Sequence, residues 1–475
     1  MKNYKDMIEA AFDHFALPSI AAGIYEAGEI KYYFYGEGAK AKSPPDEKTR
    51  YMIGSASKCF VSTSVCILAS EGKIDLDAPV TAYLPDFKFY NDEMTEKITV
   101  RQILSHQSGL PRHDVTWVNN TDISLEQAVD YIKYLQPAYG IGERFHYQNH
   151  MYALASRLVE VISGMKWTDF VKERILDPLG MSRTWTDTFS FGKEGEGCAK
   201  PYAKMNGANI PWMIWHCDSL GGAASMTSTV EDELKWQIAN LKGGFYGGVR
   251  IFDEQAEKEL HFPQMPIKDF EMYGFPMEDI DVSECAYGLG WFIEYQGGEK
   301  VIHHGGTVGG FRSECGYIPD KDTAFVVFVN LDNTQATSAV QRAIVDIACG
   351  RAPKDWNSIY DAASEKAKKK STAAVMPLLE NTKGDFCDPS CEGVYTNPAY
   401  GKVKVSGSDD GSTRIWFLGQ PLKMKIVSDD LLIIDALALA NIAAPCRFIR
   451  KDGEVIALAA MLEAEIKDFI IFDKE

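Results

Sequence analysis

Tyr4, Met7, Ile8, Ala11, Phe12 and Phe15 recur at helical steps, which predicts an opening helix over residues 4–15. The period then shortens. Residues 19–25 and 30–35 read as two strands, with Glu26-Ala27-Gly28-Glu29 as the hairpin between them. Tyr51-Met52-Ile53 is an apolar approach to a turn, and residues 59–69 are apolar enough to be a buried helix. Glu71-Gly72 ends that helix, because glycine supplies a left-handed cap. From about 73 to 285 helix and loop predominate. Helices are predicted at 98–105 with Thr99 as cap, 125–135, 152–163, 169–176 before Pro178, and 230–241 with acids at its start. Strand character returns over 287–295, 301–304, 312–318 and 324–330, with Pro319-Asp320-Lys321-Asp322 turning between the last two. Residues 335–349 read as a closing helix.

Strands at 19–35 and 287–330 would together form one antiparallel sheet, with the helical stretch inserted between its halves. The fold class is mixed α/β, of the α+β kind: a sheet flanked by helices, a large helical insertion and a C-terminal antiparallel barrel. Residues 1–352 form the first domain, with a sheet lobe at about 1–70 and 286–352 and a helical lobe at about 71–285. Composition shifts over 353–384, where Lys366-Ala367-Lys368-Lys369-Lys370 marks a solvated helix face or linker. Residues 385–475 alternate in the manner of short strands, and Asp409-Asp410-Gly411 and Lys451-Asp452-Gly453 mark hairpin turns, so a small barrel is expected there.

Charge and cysteine narrow the classes of partner. The 475 residues carry a net charge of −18, which argues against nucleic acid and against anionic membrane surfaces. Asp6, Glu9 and Asp13 interrupt any secretory apolar core, and no apolar run approaches a membrane span. The ten cysteines are scattered without a Cys-x-x-Cys, which suits reduced thiols and a cytoplasmic location. A homo-oligomer is left open.

Chemistry concentrates at three places. In Gly54-Ser55-Ala56-Ser57-Lys58, the serine sits where a helix begins and the lysine rises from the same face, with Cβ atoms roughly 5–6 Å apart. An amine that loses its proton through burial can take the hydroxyl proton and make Ser55 a nucleophile. A second Ser-x-x-Lys, Ser163 to Lys166, falls at a helix C-terminus and reads as accidental. Tyr147-Gln148-Asn149 could deliver a phenol and an amide to one cleft, an adjacent ammonium lowering the phenol. Tyr395-Thr396-Asn397 has the same spacing but reads as part of a strand turn. His303-His304-Gly305-Gly306 ends a strand in glycines, where a bare N–H, that of Gly306, could serve as an oxyanion donor opposite that of Ser55. The histidine pair lacks partners at metal-ligand spacing, so neither metal nor cofactor is expected. Residues 104–111, Leu-Ser-His-Gln-Ser-Gly-Leu-Pro, form a polar turn that could brace such a site.

Together these motifs resemble the serine β-lactamase and penicillin-binding-protein superfamily, in its class C-like branch with D-aminopeptidases and carboxylesterases. Ser55 to Lys58 is similar to its nucleophile motif. Tyr147-Gln148-Asn149 is similar to its Tyr-x-Asn, and His303-His304-Gly305 to the His-x-Gly form of its Lys-Thr-Gly. Pro178 to Met181 and Gly221 to Ala223 are further landmarks, and the likeness covers about residues 5–350. It implies attack by Ser55 on a carbonyl to give an acyl-enzyme, with Lys58 and Tyr147 sharing proton transfer. It further implies that Asn149, His303, His304 and Gly305 contact substrate, and that the Ser55 and Gly306 amides form the oxyanion site. Small peptides or amides, some with D-residues, are the implied substrates. An esterase, or a protein that acylates without efficient turnover, is the alternative. With a neutral imidazole at His303 where β-lactamases carry lysine, attraction of a substrate carboxylate would be weak. The C-terminal β region resembles the lipocalin-like barrel of some D-aminopeptidase-like members, where it shapes access to the cleft.

Overall fold

Eight strands from two distant parts of the chain share one antiparallel sheet in the computed structural model, which describes residues 3–39, 43–118, 123–192, 197–205, 207–268, 276–417, 420–436 and 442–475. They are β1 (Ser19–Glu26), β2 (Glu29–Gly36), β3 (Met265–Pro266), β4 (Val282–Tyr287), β5 (Phe292–Gln296), β6 (Glu299–Val308), β7 (Phe311–Ile318) and β8 (Thr323–Val329), in the order β2-β1-β8-β7-β6-β5-β4-β3. All seven residues of β8 are buried, because helices cover both faces of this central strand. It therefore reads Thr-Ala-Phe-Val-Val-Phe-Val without polar alternation.

On one face lie helices α1 (Tyr4–His14) and, later in the chain, α5 (Ala336–Ala348), closing a core that includes Ile20, Phe292, Phe325 and Val327. On the other lie α2 (Ser57–Ser70) and α4 (Val230–Leu241), over Ile302, Cys315, Val326 and Phe328. Between these two helices in sequence comes α3 (His150–Ser163), which packs on α2 and ends at Gly164 in the left-handed conformation. The 12 residues of α4 match the predicted span, with Thr229 capping the Asp232 amide.

Two expectations change. The single strand predicted at 287–295 is two, because Gly290 at φ +85° turns the chain between β4 and β5. The sheet also begins earlier than 286, since β3 and β4 belong to it.

The charged stretch after residue 353 is a 25-residue helix, α6 (Trp356–Glu380). Its first turn is tied to α5: the Trp356 indole donates to Asp346 at 2.8 Å, and Arg342 Nε donates to the Tyr360 hydroxyl at 3.1 Å. Beyond it, β9 (Gly393–Asn397), β10 (Gly401–Gly407), β11 (Thr413–Phe417), β12 (Gln420–Ser428), β13 (Leu431–Ala436), β14 (Ile442–Lys451), β15 (Glu454–Ala460) and β16 (Ile470–Lys474) form a barrel. The ring closes where β12 pairs with β13. Val403, Val405, Ile415, Met424, Cys446, Leu458 and Phe472 are buried in it.

Candidate active site

Ser55 lies in a single 3-10 turn, Gly54–Ala56, that feeds α2. Gly54 has φ +53°, and a Cβ there would stand 2.9 Å from the Thr307 nitrogen, so only glycine lets the turn pass so close to β6. Ser57 pins the turn: its hydroxyl donates to the Gly54 carbonyl at 2.6 Å and accepts from the Met226 amide at 3.1 Å.

Lys58 is fully buried, and Ser55 remains partly open. The Lys58 amine reaches Ser55 Oγ at 3.2 Å, Asn149 Oδ1 at 2.8 Å and the Ala223 carbonyl at 2.8 Å. Amide and backbone carbonyls only accept, so they hold two N–H bonds of a neutral amine and aim its lone pair at the serine hydroxyl. Burial, reinforced by the nearby Arg112 guanidinium, drives the Lys58 pKa well below its ordinary value, against an opposing pull from Asp114.

Tyr147 stands on the other side of the hydroxyl. Its phenol shares a hydrogen bond with Ser55, and the Lys58 amine lies 4.7 Å from its ring centroid. Burial raises this phenol despite the Ser55 bond and Arg112, contrary to the lowering expected from an adjacent ammonium. Asn149, at the start of α3, uses its other end to donate to Asp114 at 3.0 Å. Asp114 also accepts from the Trp117 indole at 2.9 Å and from Arg112 Nε at 2.6 Å. Burial alone would raise the Asp114 carboxyl, but Arg112 and these donors hold it below the usual range.

The turn at 104–111 braces this loop. His106 is buried at φ +58°, accepts the Gln148 amide on Nδ1 at 3.1 Å, and lays its ring 4.4 Å from that of Tyr147. Gln148 Nε2 donates to the Pro111 carbonyl at 3.1 Å, and the Tyr152 hydroxyl donates to the Leu104 carbonyl at 2.6 Å.

The strand end requires two corrections. The turn Gly309-Gly310 joins Val308 to Phe311, and both glycines have positive φ, 46° and 88°. A two-residue hairpin closes on a hydrogen-bonded pair, and such pairs alternate. The pairs Gly306↔Ser313 and His304↔Cys315 therefore exchange backbone bonds. Gly306 thus directs its N–H into β7 and is not the outward donor expected from the sequence. The Thr307 N–H points the other way, past the end of β5, whose ladder stops at His303, and toward the Ser55 turn. Gly306 is glycine for another reason: a Cβ there would be 1.9 Å from the Ile53 carbonyl and 2.8 Å from the Ser55 nitrogen.

Alternation also separates the two histidines, so they do not form a ligand pair. His304 lies on the Ser55 side, donating from Nδ1 to the Gly305 carbonyl at 2.6 Å and accepting the Tyr287 hydroxyl on Nε2 at 3.0 Å. Burial, then Lys58 and His303, keep His304 neutral. His303 faces away from the cleft, buried toward α5, with Nδ1 2.8 Å from Glu314. Burial would lower its pKa, but the Glu294 and Glu314 carboxylates raise it to about 9, so it is a cation rather than the expected neutral imidazole. Gly305 is half-buried against Glu314 and does not open into the cleft.

Of the other two motif matches, Ser163 donates back to the Val159 carbonyl at 2.6 Å and Tyr395 to the Cys391 carbonyl at 2.6 Å, both remote from Ser55. Sequence reasoning missed Arg112, Asp114 and the Thr307 amide, and it read Ala223 as a landmark without a role. It also missed a barrel loop. Glu463, between β15 and β16, bonds the His113 backbone and lies beside Asp114 and Arg112, where burial pushes its carboxyl up to about 8. Neighbouring Glu465 meets His146 at 2.9 Å, and the Tyr400 hydroxyl meets His113 at 2.5 Å.

Residues 5–348 match the family model described as Beta-lactamase. The unguisins hydrolase ungD' of Aspergillus campestris is 24% identical over 427 residues, covering 85% of this chain and 77% of that protein. Penicillin-binding protein 4* of Bacillus subtilis is 24% identical over 386 residues, covering 76% and 77%. Among solved structures, the octameric penicillin-binding protein homologue from Pyrococcus abyssi superposes with a TM-score of 0.63 at 21% identity, covering 99% of both chains. D-amino acid amidase from Ochrobactrum anthropi gives 0.61 at 23%, covering 73% of this chain and 98% of its own. The chain belongs to the β-lactamase family, and it is a serine hydrolase of that family.

Proposed function

We propose that Ser55 is the nucleophile and that the enzyme cleaves small peptides or amides, D-amino-acid amides included, through an acyl-enzyme. The observation that carries this is the fully buried Lys58 amine, held by two carbonyls with its lone pair toward Ser55. Lys58 takes the hydroxyl proton as Ser55 attacks the carbonyl carbon. The Ser55 and Thr307 N–H groups receive the developing oxyanion, a contribution of about 3–4 kcal/mol for each donor in hydrolases of this chemistry. The proton passes to the leaving amine by way of Tyr147, whose raised pKa makes it a phenol rather than a phenolate. Water then attacks the acyl group with the same pair returning the proton to Ser55. Asn149 is held between Lys58 and Asp114, with one end on each, and its contact with the substrate amide is secondary to that role.

The small size of the substrate is supported by the barrel loop at Glu463 beside Arg112 and Asp114. The structural neighbour named a D-amino acid amidase supports amide cleavage. The test is intact mass spectrometry after a fluorophosphonate probe. One adduct is expected on the wild type and none on Ser55→Ala; an adduct on both would remove Ser55 from its role. Turnover of D-amino-acid amides above short acyl p-nitrophenyl esters is expected, and the reverse ranking would indicate an esterase.

A further inference from the structure

Beneath the end of β6, on the face away from Ser55, lies a buried ionic cluster that the reaction itself does not use. His303 Nδ1 is 2.8 Å from Glu314, and its Nε2 is 3.5 Å from Glu294. Glu294 is paired with Arg342 of α5, whose Nη2 donates to it at 3.1 Å. Gln341 Nε2 donates to Glu294 at 3.3 Å, and Arg342 also donates to Gln296 at 3.2 Å and to Tyr360 of α6 at 3.1 Å. All the charged members are at most 6% exposed.

Two carboxylates are buried here with the His303 and Arg342 cations, and Arg312 acts on Glu314 from its own strand; burying such a set often stabilises no more than apolar side chains of equal volume would. The geometry shows what the set holds. Glu314 stands opposite Gly305, so close that a Cβ on Gly305 would be 2.7 Å from its Oε2. His303 lies over Gly316, where a Cβ would be 2.5 Å from that of His303. The strand is thus gripped at 303 and 305, on both sides of His304, and the nearer grip is two residues before Thr307.

We propose that the His303–Glu314 pair, seated on Glu294 and Arg342, is a positioning device that sets the Thr307 N–H against the Ser55 turn. This rests on the reading of Ser55 and Thr307 given above. His303 and Glu314 touch no substrate. They act through the strand, which must hold an oxyanion donor to within a fraction of an ångström.

The charge of His303 makes the device testable by pH. Around it are Glu294 from β5, Glu314 from β7 with Arg312 of the same strand acting on that carboxylate, Arg342 from α5, Tyr360 from α6 behind the arginine, and the neutral neighbour His304. Loss of its proton removes one of the positive charges that offset Glu294 and Glu314. The experiment is kcat and KM from pH 6 to 10.5 for wild type, His303→Gln and Glu314→Gln, with fluorophosphonate labelling of each. In the wild type kcat should fall through an apparent pKa of about 9. Removing the Glu314 carboxylate should move that fall to lower pH by roughly one unit and reduce kcat about tenfold, with KM within about twofold. His303→Gln should abolish the alkaline fall altogether. Glu314→Asp, which keeps the charge, should recover part of kcat. An alkaline limb at the same pH in both variants, with labelling intact, would overturn the proposal. Should His303→Gln not fold, the position of the limb in Glu314→Gln decides. Absence of labelling in the wild type would instead remove the reading of Ser55.

Discussion

Lys58 owes its chemistry to what surrounds it. With two carbonyls taking its N–H bonds, protonation adds a third donor, and among the described residues the serine oxygen is its remaining hydrogen-bond partner. kcat should therefore rise from acidic pH as the Lys58–Tyr147 pair loses its proton, and a flat acid side with chemistry rate-limiting would contradict the assignment. The folded chain binds fewer protons at Lys58 than the unfolded chain does. Stability should rise with pH between the lowered folded value and the ordinary one of 10.5. Lys58→Met keeps the buried volume and should reduce kcat by about 10²–10⁴-fold; Tyr147→Phe should cost about 10²-fold with KM little changed. Steady-state kinetics on one amide substrate measures both. The Ser55/Lys58 pair was legible because a helix places residues three apart on one face whatever the tertiary structure. Arg112 and Asp114 were not, since their link to Asn149 exists only once residues 35 apart in sequence meet.

Strand β6 shows how much depends on parity. A shift of one residue exchanges the faces, and with His303 and His304 adjacent the composition does not reveal which looks into the cleft. The missing signal was the Gly309-Gly310 turn: counting back from it settles which amides enter the ladder. Thr307→Pro removes an N–H that β7 does not use and should lower kcat about 10²–10³-fold, while Thr307→Ala keeps it and should stay within about threefold. Equal activity of the two would return the donor role to another amide. Gly306→Ala forces a methyl into the Ile53 carbonyl and should destabilise by about 2–4 kcal/mol, read as a lowered denaturation midpoint. Helix α4 and strands β7 and β8 were readable from periodicity because their burial is simple. The break between β4 and β5 was not, since Gly288 and Gly290 lie within an otherwise continuous apolar run.

The barrel was visible in the spacing of short strands, but its docking was not, because Tyr400, Glu463 and Glu465 meet His113 and His146 from over 280 positions away. Those two histidines flank the segments carrying Arg112 and Tyr147. Removing residues 385–475 should therefore increase kcat/KM for bulky substrates relative to small ones, at roughly tenfold, and unchanged ratios would deny the barrel any part in selection. None of the residues proposed for catalysis lies in the barrel, so acylation of Ser55 should survive its loss.

The loop bearing Glu463 joins two strands of a closed scaffold, sits beside the proposed site, and has no part in the bonds proposed to be made and broken. Its wording can drift without endangering the reaction. Swapping this one segment between kindred enzymes offers a route by which a lineage could change its diet while its machinery stays the same.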